Sequence, residues 1–429
     1  MPSSPEAMPG YVAGSDTQRG RILLVSHNFP PTQGPESSLV RLNTIDLSCR
    51  GWKLSVLTTT MMHMHQRMDL KMLEGLPEGL EIMRTPSCDA VFRQRYPRLA
   101  GGVLRVLMHV LPEIFLGWAF SAVPEGRRWL SRNPASIIYS RATKHVSNVT
   151  GLYLKRSTGL PWVAHFSDPW LGYPMNPCQI RLGRMIERRI FREADAVVTV
   201  SRQLAAHFAS IHPYAASKIH VIPHGYEAEV THAGARNTQT AGRELQVIHA
   251  GSFMPGLREP LSFFSGLARL HRATNLLGRI KVTMVGEDTR RYQAAAEAMG
   301  IASLLDLRDS VPFHVCKEMI DRADLLLVLD TPGFEGVFLP TKLVEYLPFR
   351  KPVLGVTEHG SAVHDVLQEC GHHFAAIDDE VSIATTIASL LERWDYGRWD
   401  DLSSTNRFER YRIDRVNTRL DELFLSLLT

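Results

Sequence analysis

The sequence predicts an α/β protein with two domains, each built on a parallel sheet. Its 429 residues exceed what one ordinary core holds and fit two domains of about 200 residues each. Short apolar runs alternate with amphipathic stretches, which is the pattern of buried parallel strands joined by helices. An apolar content of 44% and a charged content of 21% are those of a soluble globular protein.

The chain opens with a strand, a glycine-containing loop, a helix and a second strand. Arg21–Ser26 and Lys53–Thr59 are the predicted strands, and Gly34 lies in the loop. Ser37 or Ser38 is expected to cap the helix. This order begins a Rossmann-like unit. The full G-x-G-x-x-G fingerprint is missing, which argues against a dinucleotide-dependent dehydrogenase.

Further apolar runs predict the other strands, and composition predicts the domain boundaries. The runs lie at 137–139, 162–165, 197–200, 220–222, 245–251, 279–286, 305–313, 323–329 and 352–355, with a last strand around Phe374. We expect a disordered leader at 1–19 without the apolar core of a secretory signal, a Rossmann-like first domain at 20–227, a polar linker at 228–243, a Rossmann-like second domain at 244–394 and a helical segment at 395–429.

Charge and cysteine content argue against several classes of function. The net charge is +4, which does not indicate a nucleic acid partner. The cysteines form no C-x-x-C motif, which argues against a zinc site and a disulfide framework and for a reducing cytoplasm. They are Cys49, Cys88, Cys178, Cys316 and Cys370. The sequence also lacks H-E-x-x-H, a P-loop and a D-x-D at a strand end, so we expect neither a metal site nor a cofactor.

A basic and apolar segment lies between Arg84 and Arg132. Its arginines outnumber its acidic residues, which are Asp89, Glu113 and Glu125. The arginines are at 84, 93, 95, 98, 105, 127, 128 and 132. Charges and a proline interrupt the apolar run, so it is not expected to span a bilayer. The segment predicts either peripheral docking on an anionic membrane or an ordinary basic helical insertion packed on the first domain.

The stretch Thr331–Gly355 carries the clearest pattern for a ligand site. It joins two apolar strands through a glycine-containing turn and a helix that Thr341 begins. Lys342 adds a full charge to the partial positive charge of that helix end, a combination suited to phosphate. Glu345, one turn further on, suits a ribose diol, so the two residues suggest a nucleotide. The alternative is a solvated surface ion pair at i, i+3 spacing.

This stretch resembles a known family. PTKLVEYLPFRKPVLG is similar to the P-S-K-x-x-E-Y-x-x-x-x-x-P-V segment of GT-B fold glycosyltransferases of the large retaining family four. In that family, the Glu at the position of Glu345 holds the nucleotide ribose. The resemblance implies two Rossmann-like domains whose sheets face a central cleft, with a carboxyl-terminal helix that crosses back to the first domain.

The resemblance also implies a reaction. Family members of this type move a hexose from a nucleotide sugar, UDP- or GDP-linked, to a glycan or lipid-linked saccharide in polysaccharide or cell-envelope biosynthesis. The anomeric configuration is retained, and a GT-B enzyme needs no metal. We therefore expect a cytoplasmic enzyme, working at the inner face of the membrane if the basic segment docks there.

Two segments of the first domain match the family. The loop after the first strand contains F-P-P and Gly34, and its counterpart lines the acceptor side. LPWVAHFSDPWLG resembles P-W-x-x-D-x-R-D-P-W of enzymes that act on cell-envelope polysaccharides. Asp168 matches that motif, whereas His165 and Ser167 replace its usual Asp and Arg. Asp168 and His165 are thus the candidate catalytic residues, and the alternative is an Asp168 that caps the turn before Pro169.

The second domain matches the donor side of the family. Gly251 occupies the family's glycine turn, Ser252 replaces the first of two basic residues that clamp the diphosphate, and Arg258 supplies the second. Gly286 ends the strand whose counterpart contacts the base or sugar. The remaining candidates for the donor side are Glu335, Thr341, Lys342 and Glu345.

One family residue is missing from this sequence. A glutamate that grips the donor sugar in many members is replaced by Val337. Glu335 and Asp330 are the nearest possible substitutes. The competing interpretation is a catalytically inactive, glycosyltransferase-like binding or scaffold protein, which would explain the missing glutamate and the missing first basic residue.

Overall fold

A computed structural model describes residues 19–60, 68–87, 102, 106–107, 109–142, 144–171, 175–227, 242–399 and 407–429. The chain divides into two compact units. The first combines residues up to Tyr226 with Tyr411–Thr429, and the second spans Glu227–Arg410. Most of the predicted linker, and the arginines at 93, 95, 98 and 105 of the basic segment, lie outside the described residues.

The first unit is built on a seven-stranded sheet in which every neighbouring pair is parallel. Its order is β3-β2-β1-β4-β5-β6-β7, so the chain reverses direction across the sheet between β1 and β4. Open α/β sheets bind ligands at such a switch point, outside the carboxyl ends of the strands. The strands are β1 Gly20–Val25, β2 Trp52–Thr59, β3 Glu81–Thr85, β4 Ile137–Ala142, β5 Trp162–Phe166, β6 Ala196–Thr199 and β7 Ile219–Val221.

Six α-helices with complete bounds belong to this unit. They are α1 Pro35–Cys49, α2 Ala119–Leu130, α3 Val146–Thr158, α4 Pro177–Glu193, α5 Arg202–Ile211 and α12 Ile413–Ser426. The predicted start of α1 at Ser37 or Ser38 is wrong. Gly34 occupies the N-cap position with φ 142°, and Pro35 follows at the first helical position. Pro35 begins the helix early because the proline ring already fixes a helical φ and no N–H is needed there.

The second unit repeats this architecture with six parallel strands. The order β10-β9-β8-β11-β12-β13 places its switch point between β8 and β11. The strands are β8 Leu245–Ala250, β9 Ile280–Val285, β10 Leu305–Arg308, β11 Leu325–Leu329, β12 Val353–Thr357 and β13 His373–Ala376. The helices are α6 Leu261–Thr274, α7 Gln293–Ala298, α8 Phe313–Arg322, α9 Thr341–Tyr346, α10 Ala362–Cys370 and α11 Glu380–Asp395. The predicted two-domain α/β fold with parallel sheets is confirmed.

The carboxyl-terminal helix α12 belongs to the first unit, as the family resemblance implied. Asn43 Nδ2 donates a 2.6 Å hydrogen bond to Asn417 Oδ1, and Trp52 Nε1 donates a 2.7 Å bond to Asp421 Oδ1. Phe424 is fully buried and packs edge-on against Trp52, with ring centroids 5.8 Å apart. Helix α12 therefore completes the hydrophobic core beside α1 and β2.

Candidate functional site

At the carboxyl edge of the second sheet, two glycines bring two strand ends into contact. A β-carbon on Gly286 would lie 2.2 Å from the carbonyl oxygen of Gly251, so only glycine fits there. Ser252 Oγ accepts the backbone N–H of Glu287 at 3.2 Å and ties the two loops together. The structure thus brings together Gly251, Ser252 and Gly286, which the sequence predicted for the donor side.

Two cationic side chains lie beside these glycines. A β-carbon on Gly251 would be 3.8 Å from Lys342 Cε. Arg258 Nη2 donates a 3.2 Å hydrogen bond to the Ser252 carbonyl. Both side chains lie near the buried ring of His249. Positive charge is therefore concentrated at the ends of β8 and β9, in the arrangement that an anionic ligand requires.

Helix α9 presents Lys342 and Glu345 on one face, as predicted. Thr341 begins this helix behind Pro340, and the helix ends after Tyr346. Lys342 Nζ lies 3.6 Å from Glu345 Oε2, and the side chains are 38% and 40% exposed. The two residues therefore pair with each other on the surface, and both are accessible to a ligand. An exposed ion pair of this kind is weak, about 0–1 kcal/mol, so a ligand can replace it.

The two proposed substitutes for the missing glutamate differ in accessibility. Asp330 is buried, and its carboxylate accepts hydrogen bonds from Thr357 Oγ1 at 2.6 Å and from the Thr331 N–H at 2.8 Å. Burial raises the pKa of Asp330 to about 6, against the opposing effect of these bonds. Glu335 is exposed and lies in a turn. Its φ of 56° falls in the left-handed region, which residues other than glycine seldom adopt. Of the two side chains, only that of Glu335 is exposed.

His249 is a further residue of this site that no sequence motif predicted. It lies in β8 and is 5% exposed, with its ring stacked on Phe253 at a centroid distance of 5.1 Å. Burial, followed by the charges of Arg258 and Lys342, lowers the pKa of His249 to about 4. His249 lies within an apolar run, and apart from its polarity nothing in the sequence indicated that it belongs to a ligand site.

In the first unit, His165 lies within strand β5. β5 extends to Phe166, one residue beyond the predicted boundary, because Phe166 packs on Phe191 and Phe208. His165 is 2% exposed, and Tyr139 Oη lies 2.8 Å from its Nδ1. Burial, followed by the charges of Arg141 and His224, lowers its pKa well below the usual value. His165 is therefore part of a buried network.

Asp168 lies beyond the end of β5, in a bend, and is partly exposed. Of the two predicted catalytic residues, it is the accessible one. The adjacent Ser167 is buried, and its Oγ donates a 3.4 Å hydrogen bond to Glu36 Oε2. This contact joins the loop after β5 to the first turn of α1, immediately after Gly34 at the N-cap.

A buried ion pair that was not predicted holds this edge of the first sheet. Arg141 Nε donates to Glu36 Oε1 at 3.0 Å, and both side chains are more than nine-tenths buried. Arg141 Nη1 also donates to Asn43 Oδ1 at 3.0 Å, and Nη2 lies 3.3 Å from His224 Nδ1. Arg141 and Asn43 line, together with Asn417, a small cavity of about 10 Å³. Such a volume is at the lower limit for one water molecule.

The basic segment predicted at Arg84 to Arg132 is only partly a surface. Arg84 is partly buried and donates hydrogen bonds to the carbonyls of Thr59 and Pro30, so it belongs to the fold. Arg128 is exposed and pairs with Glu125. No helix among the described residues is long and apolar enough to cross a membrane.

A stronger basic surface lies on α4, outside the predicted segment. Its exposed arginines, which we call the arginine stripe, are Arg181, Arg184, Arg188, Arg189 and Arg192. Within the described part of the chain, none of the five forms a salt bridge. Met185, 47% exposed, lies among them. Like charges at i, i+4 spacing destabilise a helix slightly, so the stripe is not explained by the stability of α4.

Comparisons with known proteins agree with this architecture. Residues 50–225 match the family model of the glycosyl transferase 4-like domain. A glycosyltransferase from Rickettsia africae has a TM-score of 0.66 at 11% identity, covering 95% of this chain and 98% of its own. HepE of Anabaena, in complex with UDP-glucose, has a TM-score of 0.63 at 12% identity, covering 95% and 100%. The chain has a GT-B fold.

A third GT-B relative extends the comparison. WaaG, a glycosyltransferase involved in lipopolysaccharide biosynthesis, has a TM-score of 0.59 at 13% identity, covering 94% of this chain and 98% of its own. No curated protein sequence matches the chain. The family match and the GT-B fold together support a glycosyltransferase.

Proposed function

We propose that this protein is a retaining, metal-independent glycosyltransferase that moves a hexose from a UDP- or GDP-linked sugar to a glycan or lipid-linked saccharide in polysaccharide or cell-envelope biosynthesis. The observation that carries the proposal is the convergence of Lys342 and Arg258 on the strand ends at Gly251 and Gly286. The structure of HepE with UDP-glucose, on the same fold, is consistent with such a donor.

Six donor-side residues have a role in the proposal. Lys342 and Arg258 hold the diphosphate and stabilise the negative charge that develops when it leaves, which is the task a metal performs in other enzymes. Glu345 exchanges its ion pair with Lys342 for the ribose hydroxyls, and Ser252 and Gly286 line the floor of the site. Glu335 takes the place of the missing sugar-binding glutamate, since the carboxylate of Asp330 is already satisfied within the fold.

On the acceptor side, Asp168 is the proposed catalytic residue. The bond from the sugar C1 to the diphosphate oxygen breaks, and the acceptor oxygen bonds to C1 on the same face. Asp168 orients that hydroxyl or accepts its proton, because a partly exposed carboxylate can do both. The loop at Gly34 borders the acceptor. His165 has an indirect role, holding the loop through the Arg141 network, since burial disfavours its charged form.

The experiment that tests this function is binding followed by turnover. Isothermal titration of the purified chain with UDP, GDP, ADP and their hexose conjugates identifies the donor, and NMR of the released sugar or product reports the anomeric configuration. Selective binding with retention of configuration supports the proposal. Selective binding without hydrolysis or transfer to any saccharide acceptor supports the alternative, an inactive GT-B-type binding or scaffold protein.

A second proposal concerns location. We propose that the enzyme works at the cytoplasmic face of a membrane and contacts anionic lipids peripherally. The arginine stripe of α4 supports this proposal better than the predicted segment, because its guanidinium groups are exposed and form no salt bridge with the described residues. Three exposed aliphatic residues lie close to its amino-terminal end, since Asn176 and Gln179 hydrogen-bond the carbonyls of His109 and Leu111. They are Val106, Leu107 and Val110.

A further inference from the structure

His249 has a fixed tautomer. Its Nδ1 lies 3.0 Å from the carbonyl oxygen of Leu327 on the neighbouring strand β11. A carbonyl oxygen only accepts hydrogen bonds, so Nδ1 must carry the hydrogen. The stacking on Phe253, with an interplanar angle of 11°, holds the ring in this orientation. In the neutral ring, Nε2 therefore has a lone pair and no proton, and it can only accept a hydrogen bond.

Nε2 of His249 is buried and has no hydrogen-bond partner among the described residues. A buried acceptor that lacks a partner costs free energy, and such atoms in folded proteins call for an explanation. The ring is otherwise well placed, since it satisfies Leu327 and packs on Phe253. The cost therefore falls on one atom, and that atom faces the candidate donor site.

The surroundings of Nε2 define what can bind it. A β-carbon on Gly251 would lie 3.2 Å from Nε2 and 3.8 Å from Lys342 Cε, so the glycine keeps the space between them open. Arg258 and Lys342 both disfavour protonation of the ring, and the pKa of His249 is lowered to about 4, first of all by burial. The space is thus bordered by two cations and one neutral acceptor.

We propose that His249 Nε2 accepts a hydrogen bond from a hydroxyl group of the bound nucleotide-sugar donor. The inference rests on the proposed function. Ionised diphosphate oxygens pair with the cations, but they carry no proton and cannot satisfy Nε2. A hydroxyl adjacent to the diphosphate can, and the donor offers two sources, the ribose and the hexose. His249 is then a specificity-determining residue, because a site built to bind a hydroxyl rejects analogues that lack it.

The test compares variants that separate the lone pair from the ring. His249→Phe keeps an aromatic ring on Phe253 and removes the acceptor, whereas His249→Gln places an amide oxygen near the position of Nε2. His364→Phe is the matched control, because His364 is 4% exposed and lies in α10, and its ring nitrogen Nδ1 also has no partner among the residues that the structure describes. Circular dichroism and thermal unfolding establish that each variant is folded.

Isothermal titration then uses three ligands: inorganic pyrophosphate, the nucleoside diphosphate that the wild type prefers, and its hexose conjugate. We expect His249→Phe to bind the conjugate roughly tenfold more weakly, as for the loss of one hydrogen bond, with pyrophosphate unchanged and partial recovery in His249→Gln. A loss already present with the nucleoside diphosphate assigns the hydroxyl to the ribose, and a loss confined to the conjugate assigns it to the hexose.

Two results would overturn the assignment of His249 alone. One is unchanged binding of every ligand by His249→Phe, and the other is an equal loss for pyrophosphate, which would indicate a phosphate contact. Failure of the folded wild type to bind any nucleoside diphosphate or conjugate overturns the proposed function as well. If His249→Phe does not fold, the affinity of the wild type for deoxy analogues of the donor is measured instead. Equal affinity for the donor and for every deoxy analogue would overturn the proposal.

Discussion

Lys342 and Glu345 lie one helical turn apart and pair with each other, with Nζ 3.6 Å from Oε2. The two groups that the sequence assigned to a nucleotide site therefore neutralise each other's charge until a ligand separates them. In the proposed function, a diphosphate that binds Lys342 releases Glu345 for the ribose. Removing Lys342 is then expected to weaken the diphosphate contact, and removing Glu345 to weaken the ribose contact.

Replacing Lys342 with Met removes the charge and keeps the length of the side chain. We expect at least a tenfold loss in affinity for the nucleoside diphosphate, because a charge-assisted contact contributes about 1.5–3 kcal/mol. Isothermal titration measures the loss, and Lys53→Met on the exposed surface of β2 is the control. Equal affinities for Lys342→Met and the wild type would show that the lysine is only a surface ion-pair partner.

Gly286→Ala tests the contact between the two strand ends. The added methyl group would lie 2.2 Å from the Gly251 carbonyl oxygen, and the loops must separate to admit it. We expect destabilisation of about 1–3 kcal/mol in urea unfolding, together with weaker donor binding. Gly102→Ala is the control, since a β-carbon there meets no atom of the described residues within 4 Å. A Gly286→Ala protein of wild-type stability and affinity would contradict this geometry.

Arg141→Met tests the buried ion pair of the first unit. The variant leaves the carboxylate of Glu36 buried without its charged partner, which is expected to cost about 3–5 kcal/mol of unfolding free energy. The double variant Arg141→Met/Glu36→Gln should recover part of this loss. Arg269→Gln, which breaks an exposed pair with Glu380, should change stability by less than about 1 kcal/mol. Similar losses for the buried and the exposed pair would argue against a structural role for Arg141.

Asp330 predicts a pH dependence of stability. Its folded pKa of about 6 exceeds the usual value of 3.8, mainly because the carboxyl group is buried. The folded state therefore holds this proton more tightly than the unfolded state does. The stabilisation that the protonated carboxyl group provides is lost as pH rises from about 4 through about 6. Relative to Asp330→Asn, the wild type should lose on the order of 2 kcal/mol across that interval and little above it. A constant difference from pH 4 to pH 8 would show that Asp330 is ionised throughout.

The arginine stripe of α4 predicts association with anionic vesicles. The triple variant Arg184→Gln, Arg188→Gln and Arg189→Gln should lose flotation with phosphatidylglycerol vesicles at low salt, by about 1 kcal/mol per charge removed. High salt should release the wild type as well. Neutralising Arg127, Arg128 and Arg132 instead should have a smaller effect. The reverse order of effects would favour the segment that the sequence predicted.

The sequence predicted the sheets well where burial was continuous. Most strands of both units lie within about two residues of the apolar runs, because a strand covered on both faces must be apolar throughout. The sequence did not predict β3, since it is an edge strand in which Glu81 and Arg84 interrupt the apolar run. β10 ends at Arg308 and not at Phe313, because its neighbour β9 ends at Val285, the residue that pairs with Arg308.

The candidate site was predictable only where a local motif exists. Lys342 and Glu345 lie one turn apart on a helix, so their shared face follows from spacing alone. The Arg141 and Glu36 pair joins residues 105 positions apart, and no periodicity reports such a contact. His249 is polar within an apolar strand, and only the position of Leu327 on the neighbouring strand shows which ring nitrogen is available.

Helix α12 has a consequence for how the protein is made. Trp52 and Tyr139 leave the ribosome hundreds of residues before Phe424, yet all three rings pack together in the first unit. The second unit is continuous in the chain, so it can fold while the first unit still lacks α12 and the part of its core that α12 supplies. The first unit is thus the first to begin synthesis and the last to be complete. Until α12 arrives, an apolar surface beside β2 is open to chaperones and proteases.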